Sequence, residues 1–152
     1  MTGKRHSAGG EALTELVLAI FRLNGRLLAA GDRLVGDLGL SSARWQVLGA
    51  IALAASPQPV AWLARSMGLN RQGVQRIVNE MRDDGLVELR PNPHHLRAHL
   101  VTLTRKGQGA FAVATELQVP WVNALARGIA VNDLAAASRI VRLLGERLDQ
   151  AE

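Results

Sequence analysis

The chain has 152 residues, with 18 Lys and Arg against 13 Asp and Glu for a formal net charge of +5, and 48% of it is hydrophobic. That is one domain-sized unit with enough apolar side chains for a core, and its charge favours an anionic partner. The absence of cysteine excludes disulfides, thiolate metal sites and thiol redox chemistry, and no uncharged apolar run reaches the roughly 18 to 20 residues of a membrane span.

Residues 1–10, MTGKRHSAGG, are polar and glycine-rich with no apolar segment behind them, so they read as a flexible tail and not a signal peptide. The protein is therefore expected in the cytoplasm. From Glu11 to Leu38 the residues Leu13, Leu16, Val17, Ile20, Leu23, Leu27 and Leu34 recur at helical spacing. They predict one long helix, weakened by Gly25, Gly31 and Gly36. Ser41 is the expected N-cap of a second helix, Ala43 to Ala54, which carries Trp45, Leu48 and Ile51 and ends at the SPQP of Ser56 to Pro59.

Val60, Leu63, Ala64 and Met67 mark a short third helix. Gly68 follows where a left-handed residue is needed, Leu69 is placed to plug the turn, and Asn70 to cap the next helix. On that fourth helix, counting about 100° per residue from Arg71, the side chains of Val74, Ile77, Val78 and Met81 fall between about 240° and 340°. Arg71, Gln72, Gln75, Arg76 and Asn79 fall between about 0° and 140°, an arc with no large apolar residue. These are the side chains that read base edges, Arg pairing with guanine and Gln or Asn with adenine. Glu80, Asp83 and Asp84 crowd the far end, so the N-terminal half is the part suited to phosphates.

Gly85 stops the helix. Val87 and Leu89 alternate with Glu88 and Arg90, and Val101 and Leu103 with Thr102, as in two half-buried strands joined by the long connection PNPHHLRA from Pro91 to Ala98. Thr104 is the expected N-cap of a long fifth helix towards Arg127, which Pro120 must end or kink. A sixth, from Asn132 to Gln150, repeats Leu134, Ala137, Val141, Leu144 and Leu148 in a narrow seam. The fold predicted is mainly α: a winged helix-turn-helix with a small β-hairpin wing over residues 40–103, flanked by dimerisation helices at 11–38 and 104–152. Between Val60 and Gly107 eight Lys and Arg stand against four Asp and Glu, so the positive charge concentrates in this head and double-stranded DNA is the expected partner.

In LSSARWQVL at Leu40, LARSMGLNRQGVQRIVNEMRDDGLVEL at Leu63 and NPHHLRAHLVTLTRKG at Asn92, and in element order from Glu11 to Gln150, the chain resembles the MarR (multiple antibiotic resistance regulator) family. The resemblance implies a homodimeric repressor that binds a palindromic operator, and, as in many members, release by a small aromatic or phenolic ligand. By residue pattern and resemblance together, the DNA-binding set is Asn70, Arg71, Gln72, Gln75, Arg76, Asn79 and Arg97. The wing departs from the family's acid-Arg-Arg pattern, with His95, Leu96 and Arg97 in those places, and Gly73 replaces a small hydroxyl residue. An effector pocket is expected where the first, second and fifth helices meet the head, with Arg26, Arg44 and Trp45 to receive a carboxylate and a ring.

Other chemistries find little support. Among His94, His95 and His99 the spacing of His95 and His99 would suit a helix, which Pro93 and the strand pattern argue against, so no metal site is expected, and no cofactor is implied. There is no Gly-rich phosphate loop after a strand and no recognisable nucleophile arrangement, so no enzyme is expected. A sequence-tolerant DNA-packaging protein would have the same charge, but would favour Lys, of which there are two, and would not need the Gln, Asn and Arg face.

Overall fold

The computed structural model describes residues 5–151, and the part of the expected tail at residues 1–4 lies outside them. Helix α1 runs Ala8–Val35. It begins earlier than Glu11 because the Ser7 hydroxyl accepts from the Gly10 N–H at 3.1 Å, a side-chain cap that draws residues 8–10 of the expected tail into the helix. A 3-10 turn at Gly36–Leu38 replaces the end of the predicted helix. Helix α2, Ser42–Leu53, is capped by Ser41, whose hydroxyl accepts from the Arg44 N–H at 3.2 Å. Its first residue is tied to α1 twice. The Ser42 N–H donates to Asp32 Oδ1 at 2.7 Å, and its hydroxyl donates to the Leu28 carbonyl at 2.6 Å.

The SPQP segment does more than end α2. Gln58–Pro59 form a short strand, β1, pairing antiparallel with β3, Leu100–Leu103. β3 in turn pairs with β2, Val87–Arg90. The order β1-β3-β2 leaves β1 at an edge, where a proline's missing N–H is tolerated. Helix α3 is Val60–Ser66 and α4 is Arg71–Asp83. Gly68 and Gly85 hold φ of 63° and 75°, the left-handed turns that end α3 and α4. Leu69 does not plug the first of these turns. It is 48% exposed, because its backbone closes the turn, donating to the Ala64 carbonyl at 2.9 Å, and its side chain is left outside.

The core gathers residues from α1 to α4 and from β2 and β3: Val35, Val47, Leu48, Leu63, Val74, Val78, Met81, Val87 and Val101 are all buried. Helix α5, Arg105–Leu125, continues through Pro120. Thr104 caps it, its hydroxyl accepting from the Gly107 N–H at 3.0 Å. The chain divides into two compact units between Leu117 and Gln118, less than one turn before that proline. The second unit holds the end of α5 and α6, Val131–Asp149, which has no buried residue. The expected seam on α6 is open, with Leu134, Val141 and Leu148 exposed. In the first unit α1 likewise exposes Leu18, Phe21 and Leu23. Among the described residues no helix is long and apolar enough to cross a membrane.

Candidate nucleic-acid interface

Helix α4 owes its orientation to three buried side chains and one cap. Val74, Val78 and Met81 fix the inner face against the core. Asn70 Oδ1 accepts from the N–H groups of Gln72 at 2.8 Å and Gly73 at 3.3 Å, which satisfies two of the otherwise unpaired donors at the helix start. Asn70 is thus first a cap. The opposite face brings Arg71, Gln72, Gln75, Arg76 and Asn79 together along one shallow groove that ends at Glu80 and Asp83.

Beside this groove lies a cleft of about 340 Å³ between α4 and the wing, lined by Arg71, Gln75, Asn92, His95, Arg97 and His99. The wing is a series of turns and not a loose loop. Buried Asn92 accepts from the His94 N–H through Oδ1 at 3.0 Å and from the His95 N–H through its carbonyl at 3.2 Å; the Ala98 N–H then donates to His95 at 3.0 Å. Six of the seven predicted DNA-binding residues therefore line one or other of two adjoining concave surfaces, and Asn70 stands at the helix end where they begin.

Charge divides the helix. Among the described residues Arg71 and Arg97 make no ion pair, so both are available to phosphate or base. Arg76 donates to Glu80 at 3.1 Å. Arg44 on α2 reaches across to donate to Asp84 at 2.6 Å and stands 3.6 Å from Glu80, and Lys106 donates to the Asp84 carbonyl at 2.7 Å. Asp84 is thus held by Arg44 and Lys106, whereas Glu80 and Asp83 remain at the end of the groove. On β2, Arg90 donates to Glu88 at 2.9 Å, and that hydrogen bond with the accompanying charge holds the Glu88 carboxyl below its ordinary pKa.

None of the clefts described here is lined by the three residues expected to form an effector pocket. Arg44 is committed to Asp84 and Glu80, Trp45 packs partly buried against the core, and Arg26 is exposed on α1. A different cleft, of about 500 Å³, opens between the end of α2, β3 and the first turns of α5, lined by Ile51, Ala54, Val101, Leu103, Gln108 and Phe111 with Arg90 at its rim. Sequence reading expected a pocket near where α2 and α5 meet the head but named other residues for it, since α2 and α5 carry this lining more than fifty positions apart. The pairing of Arg76 with Glu80 and of Gln75 with Asn79 was also missed, although their four-residue spacing is a readable signal.

A basic, amide-rich helix face beside a structured wing defines a winged helix-turn-helix DNA-binding protein. The MarR family model matches residues 38–98. A Mycobacterium tuberculosis protein of unassigned function is 36% identical over 119 residues, spanning 78% of this chain and 82% of its own. The transcriptional activatory protein BadR of Rhodopseudomonas palustris is 29% identical over 111 residues, 72% of this chain and 63% of BadR. Among solved structures, M. tuberculosis MosR in complex with DNA superposes with a TM-score of 0.77 at 24% identity, covering 90% of this chain and 97% of that one. CouR of Rhodococcus jostii RHA1, bound to p-coumaroyl-CoA, gives 0.76 at 20% identity, covering 85% and 90%. The chain belongs to the MarR family of DNA-binding transcription regulators.

Proposed function

We propose that the protein is a cytoplasmic homodimeric repressor that binds a palindromic operator and is released from it by a small aromatic ligand. The observation that carries this reading is the continuous polar face of α4, Arg71 to Asn79, along one groove that adjoins, through Arg71 and Gln75, the cleft holding the wing's Arg97. A single head reads only a few base pairs, so useful specificity needs two heads about 34 Å apart, one helical turn of DNA. The apolar faces left open on α1 and α6 supply surface for a second copy. The cleft lined by Ile51, Val101, Leu103 and Phe111 offers an apolar wall and a ring to an aromatic ligand, and CouR provides the precedent of an aromatic CoA ligand.

Competition binding tests the reading. The purified protein should retain the DNA adjoining its own gene against excess random duplex, and Arg71→Ala or Gln75→Ala should weaken that binding by roughly 1–3 kcal/mol while relaxing preference at one base position per half-site. Equal losses on operator and random DNA would instead mark a sequence-tolerant DNA binder. Because BadR is described as an activatory protein, a promoter reporter with and without the protein decides the sign of regulation, and repression is the expected result.

A further inference from the structure

Two side chains on the outer face of α4 are joined to each other. Gln75 and Asn79 sit one turn apart, both half-buried, and Gln75 Nε2 donates to Asn79 Oδ1 at 3.0 Å. Resting on the reading of α4 as the base-reading helix, we propose that Gln75 is an adenine reader and that Asn79 is its positioning residue, holding the Gln75 carboxamide at a fixed angle by accepting one of its N–H groups.

The chemistry of a primary amide makes this division. A carboxamide has one acceptor oxygen and two N–H donors. With one N–H of Gln75 given to Asn79, the oxygen and the second N–H remain in one plane, and that pair matches the N6 donor and N7 acceptor that adenine presents in the major groove. Asn79 is placed differently. One of the two lone pairs of its oxygen is taken by Gln75, so Asn79 can make the two-way match to adenine only through an oxygen it already shares.

Position supports the same assignment. Gln75 lines both the groove along α4 and the cleft shared with the wing, whereas Asn79 lines the groove alone. The residue at the junction of the two surfaces is thus the one whose angle matters most, and it is the one that is held. An unheld glutamine samples several rotamers and must lose them on binding. A held one has already lost much of that freedom before DNA arrives, which raises discrimination without adding a contact to the duplex.

Selection from a randomised duplex library, run with the full chain and each variant, reads every base position at once. Gln75→Ala should flatten the preference at one adenine, and Asn79→Ala should weaken preference at that same base pair by roughly 5- to 10-fold. The double variant should discriminate no worse than Gln75→Ala alone, since the second residue acts only through the first. Asn79→Asp keeps an accepting oxygen and should retain the adenine preference, with weaker binding to all sequences from the added negative charge. Melting followed by circular dichroism verifies that each variant is folded, and Asn79→Asp keeps the question open to test should Asn79→Ala unfold. The proposal is overturned if Asn79→Ala alters a different base pair, if its effect adds in full to that of Gln75→Ala, or if Gln75→Ala changes no preference while Asn79→Ala does. If neither substitution changes any base preference, base reading by this face of α4 has itself failed, and the pairing falls with it.

Discussion

Two glycines in the first turns of α5, two residues apart, should respond to alanine with opposite signs. At Gly107 an added Cβ would stand 2.0 Å from the Leu86 carbonyl oxygen, far inside the roughly 3.5 Å at which such atoms attract. That carbonyl cannot easily retreat, because it accepts from the N–H of Thr104 at 3.1 Å, and the Thr104 hydroxyl, donating to the neighbouring Gly85 carbonyl at 2.6 Å, stands 3.2 Å from it. Forced overpacking costs about 1–3 kcal/mol, and the pinned acceptor places this site at the upper end. The gain of about 1 kcal/mol from replacing a helical glycine offsets part of it, for a net loss of about 2 kcal/mol. At Gly109 nothing lies within 4 Å of an added Cβ, so only the gain of about 1 kcal/mol remains. For a chain of this size each kcal/mol moves the midpoint by about 2–4 °C. Thermal unfolding at one fixed protein concentration should therefore place Gly107→Ala about 4–8 °C below the wild type and Gly109→Ala about 2–4 °C above it. A Gly107→Ala protein that melts with the wild type would refute the contact between the start of α5 and the turn after α4.

Four further outcomes are expected. Arg44→Ala removes the bridge from α2 to Asp84 and Glu80; with half-exposed partners it should cost about 1 kcal/mol at low salt, and the difference from the wild type should shrink in a high-salt melt. Leu96 is 89% exposed on the wing, so Leu96→Arg should leave the melting midpoint unchanged while steepening the slope of log affinity against log salt by about 0.9. Because its carboxyl is held below the ordinary value, Glu88 contributes stability that is present above that value and lost as pH falls through the lowered one; in Arg90→Ala an NMR titration should find the carboxyl returned to its ordinary range. Replacing both Val141 and Leu144 with Asp would place unpaired charge in any helix seam formed there, so light scattering should find a monomer, and a folded dimer with normal operator binding would exclude α6 as the dimer contact.

What could be read from sequence follows the range of the forces involved. The caps at Ser41, Asn70 and Thr104 and the turn glycines Gly68 and Gly85 obey rules that span at most four residues, and the structure places each as expected. The apolar stripe of α4 is legible for the same reason. β1 is not, because two residues pair with β3 only after some forty intervening positions have folded. Arg44 illustrates the same limit. A cation beside a tryptophan suggests a ligand pocket, and only the packing of α2 on α4 reveals that Asp84 and Glu80 already occupy it. Of the two outcomes expected at Pro120, an end to the helix is excluded, since α5 continues past it to Leu125.

The same ion pairs account for how one short helix carries both signs of charge yet serves an anionic partner. Glu80, Asp83 and Asp84 would repel phosphate if they were free, and they lie within four turns of Arg71. Each is matched by a cation that does not face the open end of the groove or is itself spent in the match: Arg44 on Asp84 and near Glu80, Arg82 on Asp83, Arg76 on Glu80. Arg71 and Arg97, with no such partner among the described residues, stand at the other end beside the wing. The gradient along α4 therefore runs from uncompensated positive charge at its N-terminus, where the helix dipole adds to it, to compensated charge at its C-terminus. Such a gradient favours approach of the N-terminal end to phosphate, and Arg44 on a neighbouring helix contributes to it by pairing with Asp84 and Glu80.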